Sequence, residues 1–297
     1  MTPEPTDLPE AAERRLTSGA FSSGLSVADF AACLEMGLEP VGLVQGFCAM
    51  QWNALGPTMG SFVQPFVPGS AGYSETFRCP HGFVSNDHRV WGQNFEQTWF
   101  QNSWKNGFDL AHKRMIEEAQ EAGAHGVVGV VDAQQPMGDG GILEFHLSGT
   151  AVRVAGAGPL TQIPFSTYLA GQRLAKVVEA GFAPVSVVAS WGSVRMWPYC
   201  MTEYQLHGRG LSSFASSIPP SEVDQLVRAK TRSRYIAREA ARRALHGDAL
   251  HGTTVTSSEH EHSQGEVDFH TLLRGNRIRR FKDFEALPVP QPTVRLS

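Results

Sequence analysis

One stretch of this sequence occurs twice and decides how the chain is organised. Residues 21–44 read FSSGLSVADFAACLEMGLEPVGLV, and residues 165–188 read FSTYLAGQRLAKVVEAGFAPVSVV. The two stretches align without a gap at the pairs Phe21/Phe165, Leu25/Leu169, Glu35/Glu179, Gly37/Gly181, Pro40/Pro184 and Val44/Val188. Long internal matches are typical of a repeated structural unit. We therefore predict that the chain contains two copies of one domain.

Shorter matches continue the repeat in the same order. His125 and Gly126 correspond to His251 and Gly252, and EFH at residues 144–146 corresponds to DFH at residues 268–270. The spacing between matches changes along the chain, which indicates that only connecting loops differ in length. The predicted boundaries are a flexible segment at residues 1–20, a first domain at 21–158 with a long loop at 53–92, a second, diverged domain at 159–283 and a tail at 284–297.

Each copy has the sequence pattern of a short helix, a strand, a long helix and a hairpin. Apolar residues recur at helical spacing in residues 26–36, and Gly37 follows as a stop signal. A long amphipathic helix ends before Gly123, and QQPMGDGG at residues 134–141 predicts a connection between two strands. The predicted fold class is α+β: a tandem duplication of a small β-α-β-β unit, in which one long helix covers a three-stranded antiparallel sheet and a short helix precedes each copy.

The composition is that of a folded protein without a membrane segment. Hydrophobic residues make up 41% of the 297 residues and charged residues 18%, which is enough apolar material for a core. No apolar run approaches the roughly 20 residues of a membrane helix, and residues 1–16 lack the layout of a signal peptide. We therefore expect a cytoplasmic protein. The cysteines at positions 33, 48, 79 and 200 form no CxxC pair, which indicates neither a disulfide framework nor a zinc ribbon.

Charge is divided unevenly along the chain. Residues 1–160 carry 8 Lys/Arg and 17 Asp/Glu, whereas residues 161–297 carry 17 Lys/Arg and 12 Asp/Glu. The two halves can attract one another, they can attract neighbouring subunits, or the basic half can bind an acidic partner. The arginines between positions 228 and 243 and the RIRRFK stretch at 277–282 could bind phosphate backbones. No aromatic platform accompanies them, so nucleic-acid binding is not favoured.

Two groups of side chains are candidate ligands for a divalent metal such as zinc. The long loop contains CPHGFVSNDH, which brings together Cys79, His81, Asp87 and His88. This spacing is not a recognised zinc motif, so a loop that only packs is the alternative. In SSEHEHSQGE, His260 and His262 would share one face of a strand near a hairpin tip. A solvated, pH-sensitive patch is the alternative there.

Four histidines recur in the two copies, namely His125, His146, His251 and His270. They lie on the two strands of each predicted hairpin and could face one another, but their role is unknown. The alternative is structural, because a histidine at a helix-to-strand junction can hydrogen-bond to nearby backbone. The aromatic run that contains Trp99, Phe100 and Trp104 predicts a packed stripe in the core or in a subunit interface.

The first copy resembles a known family. EEAQEAGAHGVVGV, followed after a Gly-rich hairpin by LEFHLSGTAV, is similar to the YbjQ-like family of heavy-metal-binding domains. FSSGLSVADFAACLEMGLEPVGLVQG and WGQNFEQTWFQ resemble the longer, tandem members of that family from actinomycete-type bacteria. The second copy departs from the motif, with TTVT at residues 253–256 in place of VVGV. The resemblance implies a dodecin-subunit-like fold and ring-shaped, pentameric homo-oligomers. It implies no established reaction.

These observations predict a non-enzymatic, homo-oligomeric structural or binding protein. The sequence has no nucleophile elbow, Walker loop, dinucleotide fingerprint or HExxH motif, although a site assembled between subunits would leave no such signature. The second hypothesis is a soft-metal binding or sensing protein that uses the loop from Cys79 to His88. The third is an adaptor for nucleic acid or an acidic partner that uses the basic second half.

Overall fold

The computed structural model describes residues 22–51, 93–137, 142–159, 162–198, 202, 206, 222–262 and 266–282. Within those ranges it contains four helices and eight strands. Their order is α1 (Val27–Glu35), β1 (Leu38–Gln51), β2 (Gln93–Glu96), α2 (Thr98–Glu121), β3 (Gly126–Met137), β4 (Ile142–Val154), β5 (Phe165–Ser166), α3 (Gly171–Glu179), β6 (Phe182–Trp197), α4 (Asp224–Ala244), β7 (Ala249–Glu261) and β8 (Val267–Arg280).

The strands form two four-stranded sheets. The first has the order β1-β4-β3-β5 and the second has the order β2-β6-β8-β7. In each sheet the three long strands are antiparallel, as predicted for an α+β fold. The predicted number of three strands per sheet is wrong, because each sheet gains a short strand from the other half of the sequence. β5 adds in parallel to β3, and β2 adds antiparallel to β6.

The two short helices occupy matched positions, 144 residues apart, and both end at a left-handed glycine. Ser26 caps α1 by accepting a hydrogen bond from the Asp29 backbone N–H at 3.1 Å. Gly37 after α1 has φ 73°, and Gly181 after α3 has φ 77°. Glycine adopts this conformation without steric cost and so turns each chain directly into its strand. The predicted short helix and glycine stop are confirmed.

Each long helix packs closely on its sheet because the sheet has a glycine at the contact. A Cβ atom added to Gly46 of β1 would lie 1.9 Å from the Ala111 carbonyl oxygen of α2. A Cβ added to Gly192 of β6 would lie 2.0 Å from the Ser233 carbonyl oxygen of α4. Helix α4 begins at Asp224, after Val223.

Both hairpins contain a bulge whose glycine corrects the sequence alignment. The register of β3 shifts between Val128 and Val131 around Gly129, which has φ 61°. The register of β7 shifts between His251 and Thr254 around Gly252, which has φ 62°. Gly252 therefore corresponds to Gly129. The predicted match of Gly252 to Gly126 is wrong, because the bulge requires a left-handed residue and a two-residue sequence match does not report backbone conformation.

The largest core cluster joins the two halves. Helix α2 lies between the sheets, with β1 and β4 on one side and β6 on the other. The cluster includes Trp104, Phe108, Met115, Phe145, Leu147, Val187 and Leu272. Helix α4 covers the opposite face of the second sheet through β6 and β8. No helix in the described ranges is long and apolar enough to cross a membrane.

Candidate functional site

Polar and apolar contacts join the two halves of the described chain. We call this region the junction, and define it as β5 with β3 together with α2 against β6. The backbone of residues 165–169 extends the first sheet: Phe165 N–H donates to the His125 carbonyl at 3.1 Å, and Thr167 N–H donates to the Val127 carbonyl at 3.0 Å. Val130 N–H donates in turn to the Thr167 carbonyl at 3.0 Å. One half thereby completes the sheet edge of the other.

Aromatic stacking forms the apolar part of the junction. The ring of Trp104 lies parallel to that of Trp191, with centroids 5.6 Å apart and an interplanar angle of 18°. Phe100 meets Trp191 edge-on at 5.9 Å. Offset and edge-on aromatic pairs add stabilisation beyond the area they bury. The predicted packed stripe is confirmed for Phe100 and Trp104, whereas Trp99 is 53% exposed.

Asn276 holds residues 165–169 against the second sheet. Its side-chain oxygen accepts hydrogen bonds from the Thr167 hydroxyl at 2.8 Å and from the Tyr168 backbone N–H at 2.7 Å. Its amide nitrogen donates to the His251 carbonyl at 3.2 Å. In the first half, Thr150 occupies the matching position and contacts the Ser23 hydroxyl at 3.1 Å and the Gly24 backbone N–H at 3.2 Å. The same arrangement therefore anchors residues 23–24.

Two charged or titratable contacts are buried in the junction. Arg274 of β8 donates to the Asp132 carboxylate of β3 at 2.7 Å, and the Asp132 side chain is only 4% exposed. Burial raises the pKa of Tyr168, and the nearby Asp132 carboxylate raises it further. His112 of α2 hydrogen-bonds to the Ser166 hydroxyl at 2.9 Å, and burial lowers its pKa. A neutral His112 and the salt bridge between Arg274 and Asp132 therefore both make contacts across the two halves.

Each half also has a surface that corresponds to one side of the junction but is exposed in the described part of the chain. In β3 the first three residues are buried, whereas β7 is exposed along nearly its whole length. We call β7 the open edge, because it ends the second sheet in the described part of the chain. In the first sheet, Val44, Gly46 and Cys48 face α2, so Phe47 points to the opposite face. We call that side the open face; Phe47 is 47% exposed there.

A separate polar cluster lies at one end of the second sheet. Arg195 binds the Asp268 carboxylate with two hydrogen bonds at 2.7 and 2.8 Å, and His262 contacts the same carboxylate at 2.7 Å. Gln97 donates to Asp268 at 3.2 Å. Burial alone would raise the pKa of Asp268, but the hydrogen bonds from Arg195 and His262 outweigh it and hold the pKa well below its usual range.

His270 belongs to this cluster but does not form a catalytic relay. Its Nδ1 lies 2.9 Å from the Ser193 hydroxyl, while Asp268 is engaged by Arg195 and His262. Burial lowers the pKa of His270 to about 4, so the imidazole is neutral at pH 7. A nucleophile, base and orienting carboxylate in series would need Asp268 on the far nitrogen of the base. The contacts of Asp268 go elsewhere, and the cluster is a structural one.

The structure describes two of the six predicted metal ligands. Cys79, His81, Asp87 and His88 lie outside the described ranges. His260 and His262 share a strand face as predicted, with ring centroids 4.8 Å apart, and His262 is held by Asp268. Within the described ranges, no group of three or more His, Cys, Asp or Glu side chains is placed to hold a metal ion.

The four recurring histidines do not face one another. His146 of β4 pairs with Ala133, whereas His125 precedes the pair Gly126 and Val152. Along a strand that separation is roughly 20 Å. His125 accepts a hydrogen bond from the Val154 backbone N–H at 3.1 Å, which confirms the structural alternative for this residue. Because His251 corresponds to Val128 in the corrected alignment, the recurrence of this pair was coincidental.

Many basic residues of the second half are paired within the chain. Lys230, Arg232 and Arg242 pair with Glu259, Glu96 and Glu239. Arg277 and Arg279 both bind Asp248, and the hydrogen bond from Arg279 is the main cause that lowers the pKa of Asp248 to about 2. These contacts use much of the charge that suggested a nucleic-acid surface.

Comparison with known proteins corrects the predicted family. The sequence matches no protein-family model. It is 34% identical over 147 residues to an encapsulin nanocompartment protein of Mycobacterium tuberculosis. The match covers 49% of this chain and 45% of the relative, so this chain spans less than half the length of the curated protein that it matches.

The predicted YbjQ-like family is therefore wrong. The comparison supports neither the soft-metal function nor the nucleic-acid function that was predicted as an alternative. The motif residues that suggested it have packing reasons. Gly129 has a positive φ at the bulge, and a Cβ on Gly149 would lie 2.5 Å from a methyl group of Val127. Such small residues are what a tightly packed, bulged hairpin requires, whatever its family.

Sequence reasoning missed the residues that build the junction and the polar cluster. Asn276 and Arg195 are single polar residues in strand-like stretches, with no motif around them. Trp191 gave a usable signal, because it aligns with Phe47 at the spacing of 144 residues. Two aromatic residues at matched positions on a strand indicate a shared apolar contact, and only one of the two is covered in this chain.

Proposed function

We propose that this chain is a non-enzymatic structural protein that self-associates and contributes to a protein nanocompartment. The observation that carries the proposal is the 34% identity over 147 residues to an encapsulin nanocompartment protein. The predicted absence of enzymatic activity agrees with a structural role of this kind. The polar cluster supports it too, since its carboxylate is occupied by Arg195 and His262.

The exposed surfaces support self-association. A long unpaired strand edge is a template for another chain, and soluble proteins normally cover or blunt it. β7 leaves such an edge in the described part of the chain. The open face adds uncovered apolar surface, because it exposes Phe47. The uneven charge of the two halves also favours contacts between unlike surfaces of neighbouring chains.

We also infer that the chain arose by tandem duplication of one unit. The matched helices, glycines and bulges of the two halves support this inference, as do the equivalent anchors Thr150 and Asn276. The predicted domain limits at 21–158 and 159–283 remain part of the proposal. Equal order of elements in both halves is the expected result of duplication.

Two finer points remain proposals. Cytoplasmic location agrees with the free, buried thiols of Cys33 and Cys48, because disulfides are rare in reducing compartments. The ring of five subunits was predicted from the rejected family resemblance. We propose only that more than one chain assembles, and that the number follows from the geometry of the contact.

Native mass spectrometry and negative-stain electron microscopy of the purified, untagged chain test the proposal. A multiple of 32.3 kDa together with closed, hollow particles is the expected result. Open oligomers or small rings would keep the self-association and remove the nanocompartment. A single chain at micromolar concentration in both measurements would contradict the proposal as a whole.

A further inference from the structure

We propose that a second copy of this chain docks head to tail, with residues 22–25 pairing with the open edge and the first sheet's open face lying against α4. This inference rests on the proposed self-association and specifies the surfaces that carry it. In the junction, the first half supplies a strand edge and a helix, and the second half supplies the added strand and a sheet face. The partner is identified as a second copy because the corresponding surfaces, the edge and helix of the second half and the segment and sheet face of the first half, are exposed in the described residues.

The first step concerns the donated segment. Residues 165–169 (FSTYL) run beside β3 and lead into α3. Residues 21–25 (FSSGL) lie 144 positions earlier and lead into α1. Ser22 corresponds to Ser166, is exposed, and precedes the segment anchored by Thr150 in the way that Asn276 anchors residues 167–168. The segment is thus held in place for a partner strand that its own chain does not supply in the described ranges.

The second step concerns the receiving edge. In the junction, Val127 accepts from Thr167 N–H, and Gly129 and Val130 donate to the carbonyls of Leu169 and Thr167. The bulge alignment places Leu250, Gly252 and Thr253 at the corresponding positions of β7. Their strand is exposed, and the same left-handed glycine shapes it. The open edge therefore has the backbone geometry that receives a parallel strand in the junction.

The third step concerns the sheet face. Trp191 is covered in the junction by Trp104 and Phe100 of α2. Phe47 holds the matching place in the first sheet and is 47% exposed. Helix α4 is the counterpart of α2, because Ser233 approaches Gly192 as Ala111 approaches Gly46. An apolar ring is thus uncovered on the first sheet at the place that the repeated contact would cover.

The short helices cannot repeat their close contact between chains. Gly171, the first residue of α3, lies so close to Asp29 of α1 that a Cβ would be 2.3 Å from the Asp29 Cα. Val27 is the matching first residue of α1 and is 90% exposed. Its side chain keeps α1 farther from α3 of the neighbouring chain in the proposed contact. Because the two joined surfaces differ, the contact is heterologous, and repeating it closes a ring or extends a filament.

Two variants each remove one surface. Phe47→Glu places a charge on the open face, and Thr253→Pro removes the backbone N–H that corresponds to the Val130 donor. Leu34→Glu is the matched control, because Leu34 and its counterpart Val178 are both exposed, at 50% and 37%, and so belong to neither surface. We expect the full-length variants Phe47→Glu and Thr253→Pro to sediment as single chains, and Leu34→Glu to assemble like the unmodified chain.

Mixing the two variants gives the decisive result. The Phe47→Glu chain keeps an intact β7, and the Thr253→Pro chain keeps an intact open face and residues 22–25. A heterologous contact predicts a species with twice the mass of one chain, and no larger one. Failure of the mixture to pair would overturn the head-to-tail geometry. Full-size assembly of both single variants would overturn the proposed surfaces while leaving self-association intact.

A cross-link keeps the inference testable if a variant does not fold. Val127 and Ser166 are paired in the junction, so Leu250 and Ser22 form the matching pair between chains. Leu250→Cys chains mixed with Ser22→Cys chains should give a reducible two-chain band under oxidising conditions. Each variant alone serves as the control for the native cysteines. If the unmodified chain is multimeric but the mixed variants give no such band, the inference is contradicted, whereas a monomeric unmodified chain contradicts the proposed function itself.

Discussion

At the scale of single residues, glycine sets how closely each long helix approaches its sheet. Gly46 and Gly192 lie under the backbone of α2 and α4, where no side chain fits. Gly42, on the same strand as Gly46, has no atom within 4 Å of an added Cβ. The requirement for glycine is therefore steric at Gly46 and absent at Gly42, although a sequence pattern treats the two alike.

Gly46→Ala is expected to destabilise the protein by about 1–3 kcal/mol, because the new methyl group forces α2 away from β1. Gly42→Ala is the control and should change the free energy of unfolding by less than about 0.5 kcal/mol. Denaturant unfolding of both variants checks the prediction. Equal effects at the two positions would contradict the close-packing explanation.

His270 makes stability depend on pH. Its pKa is about 4 in the folded protein, compared with 6.5 for an ordinary histidine. Between these values the unfolded state binds more protons, so the free energy of unfolding falls as the pH is lowered from 6.5 to 4. Burial is the main cause, and the contribution of His270 reaches about 3 kcal/mol at most. Asp268, whose pKa is lowered, adds a further loss below the usual carboxyl range.

His270→Asn should flatten the decline in unfolding midpoint between pH 6.5 and 4, because asparagine does not titrate. His246→Asn is the control: His246 is exposed, and its φ of 48° is one that asparagine tolerates. Thermal unfolding measured across this range checks the result. An identical pH slope in both variants would show that His270 is not the group responsible.

At the scale of elements, residues 165–169 form a strand only because of what surrounds them. The segment has two strand residues, and its hydrogen bonds go to β3 of the first half and to Asn276 of the second. Its own sequence, FSTYL after Pro164, does not specify a partner. Its conformation therefore reports on the integrity of both halves.

Asn276→Ala should loosen this segment. The variant leaves the buried Thr167 hydroxyl and Tyr168 N–H without their acceptor, which costs about 1–3 kcal/mol. Hydrogen exchange in residues 163–170 is expected to increase well before exchange in α2. Thr256→Ala, on the exposed strand β7, is the control and should leave the exchange unchanged. Unaltered protection in Asn276→Ala would show that the β3 hydrogen bonds are sufficient by themselves.

At the scale of the whole molecule, buried contacts of the junction cross the boundary between the two halves. Helix α2 belongs to the first half in sequence, yet Trp104 and Phe100 pack on Trp191 of the second. The buried pair of Asp132 and Arg274 crosses the same boundary. We expect both sheets to unfold in a single transition.

Trp191→Ala should separate that transition into two, or lower its midpoint strongly, because the aromatic stack between the halves is lost. The expected cost is about 2–4 kcal/mol for removing a large, mostly covered aromatic side chain. Trp99→Ala, which removes a side chain that is 53% exposed, should cost less than about 1 kcal/mol. Calorimetry of both variants decides between one unit and two independent domains.

Some of the site was within reach of the sequence. The aromatic residues at positions 47 and 191 fall on matched strands, and Trp104 falls on a helical stripe, so an apolar contact was predictable. The partner of each was not, because periodicity shows which face is apolar and not what covers it. The His260 and His262 candidate shows the opposite limit: His262 is a good ligand type, but Asp268 and Arg195 hold it. The Cys79–His88 candidate lies outside the described residues.

The order of the helices and long strands, the glycine stops at Gly37 and Gly123, and the recurrence of one stretch after 144 residues follow from the sequence alone. These features are local, because they depend on side-chain period and on backbone conformations that glycine permits. The fourth strand that each sheet takes from the other half, and the match of Gly252 to Gly129, come from the folded chain as a whole. Strand pairing between distant segments depends on which edges remain free after the chain has folded, and no local pattern records that.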